Sequence, residues 1–309
     1  MNANLKRLLS GKLADHPSLC HSDMPVPVLS FEVVPPRTDA MEQRLWQCIR
    51  RLAPLSPRFV SVTYGAGGTM QARTQATVLR LKQETTLVPA AHLTCIGATR
   101  EEIDDIARTY WQAGVRHLVA LQGDAPAGTD YTPHPGGYAY ASDLVAGLRR
   151  IADFEISVAA YPETHPTALS SQADIDNLKR KFDAGASRAI TQYFFEASTC
   201  LRFLDRCLAA GITAPIVPGI MPVSNYDQIA RFSALCGVTV PAWLTHLFEG
   251  TAKNPELCRI AACIVAAEQV RTLQSHGINE FHFSTLNRPD LTCAIAHLLG
   301  VRPASETDS

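Results

Sequence analysis

Short apolar runs alternate with longer segments of helical periodicity through most of the chain. Eight of the runs are predicted to be strands: Leu29–Val34, Phe59–Tyr64, Ala90–Ile96, His117–Gln122, Ile156–Tyr161, Ala189–Phe194, Ile216–Ile220 and Glu280–Thr285. Several of them are almost continuously apolar, which is typical of parallel strands covered on both faces. Eight strands alternating with helices predict an α/β protein, a single-domain (β/α)₈ TIM barrel. An open doubly wound sheet is the alternative if one strand is misread.

The segments between the strands carry helical signals. Residues 103–111 place apolar side chains at spacings of three and four, as an amphipathic helix does. Gly114, Gly185 and Gly211 each follow such a segment and precede a strand. A left-handed residue is often needed where a helix ends, so these glycines are predicted to close three helices.

The sequence contains no linker that would divide it into separate domains. We expect a weakly patterned N-terminal extension over residues 1–26, the barrel over residues 27–303 and a short polar tail over residues 304–309. The texture between the two ends is uniform, which favours one domain.

Composition and charge narrow the function classes. The 309 residues are 46 % hydrophobic and 18 % charged, with a net charge of -1. Because the chain has no excess of basic residues, we do not expect it to bind nucleic acid. The longest apolar run, Ile260–Ala267, is far shorter than the roughly 20 residues that span a membrane. No secretory signal is visible, and we expect a cytoplasmic protein. The sequence contains 9 cysteines, an odd number, and no CxxC motif, which predicts reduced thiols. It also contains no HExxH motif, so we expect no metal site.

The candidate chemistry lies where the predicted strands end, because (β/α)₈ barrels carry their active sites at the carboxyl ends of the strands. Glu32 alternates with apolar neighbours in a buried strand. Burial raises the pKa of a carboxyl group, so Glu32 is either a proton donor near neutral pH or a structural partner of an arginine. Asp124 follows a strand end and is a second functional carboxylate, an N-cap or a loop anchor.

Other polar residues at these ends have two interpretations each. His92 and His165 are either functional or packing residues. Asp174, Asn177 and Lys181 share one face of a predicted helix, which is either solvated or holds the phosphates and sugar of a nucleotide. The Gly-rich stretch at 65–69 lacks the GxGxxG spacing and favours a tight turn over a phosphate site.

A family resemblance runs through most of the chain. The stretches that carry it are FEVVPPRT (31–38), VSVTYGAGGT (60–69), AHLTCIG (91–97), LQGD (121–124), YASDLV (140–145), ISVAAYPETHP (156–166), NLKRKFDAGASRAITQYFF (177–195), PGIMPVSN (218–225) and HFSTLNR (282–288). Together and in this order they resemble the bacterial 5,10-methylenetetrahydrofolate reductases. The resemblance implies non-covalently bound FAD, NADH or NADPH as co-substrate, and ping-pong reduction of methylenetetrahydrofolate to 5-methyltetrahydrofolate, or the reverse oxidation. It also implies a homo-oligomer, a dimer or tetramer.

The resemblance assigns roles residue by residue. Glu32 matches the general acid that protonates N10 of the folate, and Asp124 matches a carboxylate near the flavin and the pterin. Cofactor-binding positions are matched by Thr63, Tyr64, Ala66, His92, Gln122, Gly123, Asp124, Ala141, Tyr161, His165, Ala168, Asp174, Asn177, Arg180 and Lys181. Substrate-binding positions are matched by Gln192, Gln228, Phe232 and Arg288. Many relatives have arginine where this chain has Gln122, so a cation beside the flavin is absent here.

Two other functions fit the same barrel. A flavin-dependent dehydrogenase of proline or a similar amine would use the flavin in the oxidative direction. A folate- or flavin-binding barrel without catalysis would not require an acid buried at position 32. Comparing proline with a folate as the reaction partner of the bound flavin distinguishes the amine dehydrogenase from the reductase. Steady-state turnover distinguishes the reductase from a barrel that only binds its ligand.

Overall fold

The strands of the protein are all parallel, and their positions follow the predicted alternation. A computed structural model describes residues 24–64, 71–123, 129 and 131–303. The strands are β1 (Val28–Val33), β2 (Val60–Val62), β3 (Pro89–Thr94), β4 (His117–Leu121), β5 (Glu155–Ala160), β6 (Arg188–Thr191), β7 (Ile216–Val217), β8 (Gly219–Ile220) and β9 (Glu280–Ser284). Each of the eight predicted runs overlaps a strand, and most runs extend past its carboxyl end.

Helices connect successive strands and form the outer layer. They are α1 (Asp39–Leu52), α2 (Gln71–Glu84), α3 (Arg100–Gln112), α4 (Ala141–Ile151), α5 (Ser171–Asp183), α6 (Ala197–Ala209), α7 (Tyr226–Cys236), α8 (Ala242–Phe248), α9 (Pro255–Gln274) and α10 (Pro289–Leu298). Among the described residues, the 3₁₀ helices Ala53–Leu55 and Thr251–Lys253 follow α1 and α8. Gly114, Gly185 and Gly211 follow α3, α5 and α6 with φ of +82°, +109° and +78°, which confirms their predicted role at helix ends.

The sheet closes on itself into a (β/α)₈ barrel, as predicted. Its order is β7-β6-β5-β4-β3-β2-β1-β9-β8, and β7 and β8 are separated only by Pro218. The run predicted as one strand, Ile216–Ile220, is therefore one barrel strand in two parts, of which β7 pairs with β6 and β8 with β9. Proline has no N–H to donate to a ladder, which explains the break, while the carbonyl of Pro218 still accepts from the His282 amide at 2.9 Å.

Apolar side chains on the outer face of the barrel pack under the helices in two separate clusters. The first outer cluster contains Phe31, Phe281 and Phe283 and includes side chains of α9 and α10. The second outer cluster contains Val62 and Leu93 and includes side chains of α2 to α5. No described helix is both long and apolar enough to cross a membrane.

The interior of the barrel is more polar than the branched apolar filling usual for this fold. Ser30 and His282 are register partners on β1 and β9, and Ser30 Oγ lies 2.7 Å from His282 Nδ1. The other ring nitrogen of His282 lies 3.2 Å from Ser61 Oγ on β2. On the opposite wall, His117 Nε2 lies 2.7 Å from Ser157 Oγ. Hydrogen bonds between strands thus compensate most of the burial of these polar groups, while His117 Nδ1 has no partner among the described residues.

Phe59 fills the space between the two histidines of the interior. Its ring packs edge-on against His117, with centroids 4.4 Å apart, and stacks on His282 at 5.3 Å. At the amino-terminal end of the barrel, Arg188 is buried and pairs with Glu155. Burial lowers the pKa of Arg188 from its ordinary value, an effect partly offset by Glu155.

Gly219 should tolerate no side chain, because β8 passes close to the backbone of β6. A Cβ placed on Gly219 would lie 2.2 Å from the carbonyl oxygen of Thr191. We expect Gly219→Ala to lower the free energy of unfolding by at least about 3 kcal/mol, since backbone rather than a flexible side chain must move. Gly136→Ala is the matched control, because its nearest neighbour lies at 3.7 Å. Urea unfolding curves with equal midpoints for both variants would contradict this prediction.

Candidate functional site

Glu32 lies on β1 at the carboxyl end of the barrel, where the sequence predicts the active site. Its side chain retains 24 % exposure but points into the protein-lined interior, and Ser284 Oγ donates to its Oε1 at 3.0 Å. Burial raises the pKa of Glu32, and the hydrogen bond from Ser284 lowers it by less. The carboxyl group therefore favours its protonated form more than an exposed glutamate does.

His92 on β3 faces the same carboxyl group without forming an ion pair. Its Nε2 lies 3.6 Å from Glu32 Oε2, and its side chain is 10 % exposed. Burial lowers the pKa of His92 to about 4, so the imidazole is neutral at pH 7. Burial thus favours the neutral form of both groups, the carboxylic acid of Glu32 and the neutral imidazole of His92.

Two buried polar atoms at this end of β3 have no partner in the described structure. They are His92 Nε2 and Thr94 Oγ1, and both residues alternate with Leu93, which packs in the second outer cluster. Buried polar atoms are nearly always hydrogen-bonded, so unpaired ones at a barrel mouth indicate a place for a polar ligand or water. These two atoms therefore fit a bound polar molecule at the carboxyl ends of β1 and β3.

The turn after β9 holds the end of β1 and adopts strained backbone conformations. Thr285 Oγ1 donates to the carbonyl of Glu32 at 2.7 Å, and the Asn287 side chain bonds the amide and carbonyl of Val34 at 2.9 and 2.8 Å. Leu286 and Asn287 have φ of +50° and +55°, a region that bulky residues rarely adopt. Such strain persists only where the surroundings enforce it, and here it places Arg288 at the mouth.

Helix α5 presents a polar face next to the end of β5. Lys181 is buried, and its Nζ donates to the carbonyl of Ala159 at 2.9 Å. Burial lowers the pKa of Lys181 to about 8, partly offset by Asp174. Asn177 is half-buried and accepts from the exposed Arg180 at 3.4 Å. A merely solvated helix face therefore does not describe Lys181, whose ammonium group is buried against the backbone of β5.

The loop after β5 lies against the start of α5. Asp174 accepts from the His165 amide at 3.0 Å, and His165 Nδ1 lies 2.8 Å from Thr167 Oγ1. The rings of Tyr161 and His165 meet edge to face, with centroids 4.4 Å apart. Ala168 continues this loop with an amide that donates to the His165 carbonyl at 2.9 Å. Four of the predicted cofactor-binding residues are thereby brought together.

The remaining predicted cofactor positions lie along the ends of β2 and β4. The amide of Thr63 donates to Val33 at 3.1 Å, and the carbonyl of Gln122 accepts from Cys95 at 3.2 Å. Tyr64 is buried in the second outer cluster, so only its backbone is available at the mouth. Gly123 has φ of +88°, and Ala141 is the buried first residue of α4. Ala66 and Asp124 lie outside the described residues.

The predicted substrate-binding residues lie on the other side of the mouth. Gln192 follows β6, and its Oε1 accepts from the Tyr193 amide at 3.0 Å. On α7, Gln228 is exposed and Phe232 is 45 % exposed, with its ring stacked on Tyr193 at 6.1 Å. Arg288 is exposed and lines a cleft of about 720 Å³ between the starts of α7, α9 and α10. Gln192, Gln228 and Phe232 thus lie on the β6 and α7 side of the barrel, and Arg288 lines a cleft that includes none of these three.

Sequence reasoning missed Ser284 and the histidines of the barrel interior. Ser284 contacts Glu32 directly, and His117 and His282 lie beneath the site. The signal was present as strict alternation of polar and apolar residues in HFS at 282–284. The described residues contain no group of three or more His, Cys, Asp or Glu side chains placed to hold a metal ion.

Comparisons with known proteins agree on one family. The family described as "Methylenetetrahydrofolate reductase" matches residues 20–300. The 5,10-methylenetetrahydrofolate reductases of Salmonella typhimurium and Escherichia coli are each 51 % identical over 275 residues, covering 89 % of this chain and 91 % of theirs. "Methylenetetrahydrofolate reductase (NADH) 1" of Arabidopsis thaliana is 36 % identical over 284 residues, which is 48 % of its length.

A solved structure supports the fold independently. It is an uncharacterised Clostridium thermocellum protein described as binding two copies of 5-methyl-5,6,7,8-tetrahydrofolic acid, with a TM-score of 0.61. The similarity covers 94 % of this chain and 97 % of that one, at 15 % sequence identity. At that identity it supports the architecture alone.

Proposed function

The chain belongs to the methylenetetrahydrofolate reductase family, and we propose that it reduces its folate with FAD and NADH or NADPH in a ping-pong cycle in which Glu32 is the general acid. The family establishes an oxidoreductase that converts methylenetetrahydrofolate to methyltetrahydrofolate. One observation carries the finer proposal. A carboxyl group with a raised pKa lies at the mouth of the barrel, beside a neutral imidazole and a serine hydroxyl.

Glu32 supplies the proton that makes the folate reactive. Methylenetetrahydrofolate holds its one-carbon unit in a five-membered ring between N5 and N10. A proton moving from the Glu32 carboxyl to N10 lets the bond between N10 and the methylene carbon break. The resulting iminium at N5 accepts hydride and becomes the methyl group. Glu32 is left as a carboxylate and must regain one proton from solvent in each turnover.

The neutral state of His92 is part of this assignment. A protonated imidazole 3.6 Å from the carboxyl group would stabilise the carboxylate and lower the pKa of Glu32. Because burial lowers the pKa of His92 to about 4, this stabilisation is absent at neutral pH. A neutral His92 therefore does not draw the proton away from Glu32 before the folate arrives.

The residues on the β2 to β5 side of the mouth fit FAD. The unpaired atoms of His92 and Thr94 would offer polar contacts to the flavin ring system. The ammonium group of Lys181 has three N–H donors, and one of them donates to the Ala159 carbonyl. An ammonium group on this polar helix face suits a diphosphate. Asn177 and Arg180 would hold the same portion. FAD, when bound, would supply the carrier that takes hydride from the nicotinamide and delivers it to the folate.

The opposite side of the mouth suits the folate. Phe232 offers an exposed aromatic face, supported from below by Tyr193. Gln192 carries an amide that can meet the hydrogen-bonding edge of a pterin. Arg288 supplies a guanidinium at the cleft, which suits the carboxylates of the glutamate tail. Asp124, which the family resemblance matches to a carboxylate near the flavin and the pterin, would stabilise the cationic iminium.

An anaerobic absorbance titration tests the proposal in two stages. FAD is added to the purified protein, then NADH, then methylenetetrahydrofolate. We expect a flavin spectrum that bleaches with NADH and returns with the folate. Bleached flavin that the folate does not reoxidise would reject the proposal, and reduction by proline would then favour the amine dehydrogenase. Failure of the protein to bind FAD would reject the cofactor assignment.

A further inference from the structure

Ser284 is placed opposite the proton donor by the register of the barrel. Glu32 on β1 and Ser284 on β9 are paired residues in the parallel ladder, so their side chains project from the same face. The register is fixed just beyond, where the amide and hydroxyl of Thr285 both donate to the carbonyl of Glu32, at 3.1 and 2.7 Å. The register between β1 and β9 therefore brings the side chains of Glu32 and Ser284 into contact.

The two oxygens of the Glu32 carboxyl group have different surroundings. Ser284 Oγ donates to Oε1 at 3.0 Å and is the only described residue that forms a hydrogen bond with this carboxyl. Oε2 faces His92 Nε2 at 3.6 Å, which is too long for a hydrogen bond. In a protonated carboxyl group, an oxygen that already accepts a hydrogen bond is the poorer site for the acidic proton.

We propose that Ser284 is a positioning residue that engages Oε1 of Glu32 and thereby confines the transferable proton to Oε2. The inference rests on the proposed role of Glu32 as general acid. The hydroxyl fixes the rotation of the carboxyl plane, so Oε2 is presented toward the mouth and the His92 side. It also stabilises the carboxylate that remains after the proton has moved to N10, because the same hydrogen bond is stronger to a charged acceptor.

Replacement of the hydroxyl should change folate reduction and leave reduction by NADH unchanged. We expect Ser284→Ala to slow single-turnover reoxidation of the flavin by methylenetetrahydrofolate about three- to tenfold. The alkaline limb of its pH profile should move to higher pH, because the hydrogen bond that lowers the pKa of Glu32 is gone. Ser284→Thr keeps the hydroxyl and should restore the wild-type limb. Ser284→Cys, a weak donor of similar volume, should fall between them.

Infrared difference spectroscopy gives a readout that does not depend on turnover. The carbonyl stretch of protonated Glu32 is identified as the band that Glu32→Gln removes. We expect this band to shift to higher frequency in Ser284→Ala, since its carbonyl oxygen no longer accepts a hydrogen bond. Ser157→Ala is the matched control, because it removes a buried serine hydroxyl that bonds His117 on the opposite wall. Its Glu32 band and pH profile should match those of the wild type.

The outcomes separate this inference from the proposed function. If wild-type flavin is reoxidised by the folate while Ser284→Ala leaves both the pH limb and the infrared band unmoved, the inference is wrong and the function stands. If the folate fails to reoxidise wild-type flavin, the function is wrong, and the infrared band still decides whether Ser284 engages Glu32. If Ser284→Ala does not fold, the Cys and Thr variants provide the same comparison.

Discussion

Replacing Glu32 by glutamine is expected to leave the bound flavin reducible by NADH and to slow folate reduction at least about a thousandfold. The amide keeps the shape of the side chain and can still accept from Ser284, but it has no proton to give N10. General acid catalysis contributes about 10² to 10⁴ in rate, and ring opening depends on it here. Stopped-flow measurement of each half-reaction by flavin absorbance checks the prediction.

The control for this substitution is a glutamate of the same length outside the site. Glu101 is exposed in the first turn of α3, so Glu101→Gln should match the wild type in both half-reactions. Equal rates of folate reduction in Glu32→Gln and Glu101→Gln would remove Glu32 from the mechanism. A parallel loss of reduction by NADH would instead indicate that Glu32 supports flavin binding.

Acid should destabilise the protein steeply, because three buried histidines resist protonation in the folded state. Burial lowers the pKa of His92 to about 4, and burial together with smaller contributions from neighbouring histidines and Arg188 lowers those of His117 and His282 to about 3. Unfolded histidine has a pKa near 6.5, so below pH 6 the unfolded chain binds protons that the folded chain does not. The stability present above pH 6.5 is therefore lost as the pH falls.

The size of this effect follows from proton counting. Each histidine contributes about 1.4 kcal/mol per pH unit, so the three contribute about 4 kcal/mol per pH unit, and the raised pKa of Glu32 opposes part of this. We expect the free energy of unfolding to fall by up to about 4 kcal/mol per pH unit between about pH 6 and pH 4.5. Urea unfolding at a series of pH values measures the slope directly.

A substitution in the barrel interior tests whether the buried histidines cause the pH dependence of the free energy of unfolding. His282→Asn retains a polar group near Ser30 but cannot be protonated, so its slope should be smaller by about 1.4 kcal/mol per pH unit. The exposed His276 provides the control, and His276→Asn should keep the wild-type slope. An unchanged slope in His282→Asn would show that acid sensitivity arises elsewhere.

The sequence alone predicts the architecture because every barrel strand leaves a local apolar signal. The run at 216–220 predicts the seventh strand, but its break at Pro218 depends on which neighbour each half pairs with. Glu32 stands out because it interrupts an apolar alternation. Its partner Ser284 lies 252 residues away, and only the closure of the sheet between β1 and β9 brings them together.

The helix that carries Lys181 shows where local pattern is ambiguous. A polar stripe at helical spacing indicates solvent or ligand equally well, and the residue types are the same in both cases. The docking of α5 against the end of β5 buries Lys181, and this tertiary contact excludes a purely solvated role. The family resemblance indicated the same helix, but the burial of Lys181 could be seen only in the structure.

The division of the outer apolar packing has a consequence for hydrogen exchange. Phe31 belongs to the first outer cluster and Val33 to the second, so Glu32 lies on β1 where the two clusters meet. Separate clusters behave as separate units of local opening, and a ligand protects the unit it contacts. Flavin should therefore slow amide exchange in β2 to β5, and folate should slow it in β8 and β9. Amide exchange in β1 would be fully slowed only when both ligands are bound. The strand that carries Glu32 would therefore report the complex of the protein with flavin and folate.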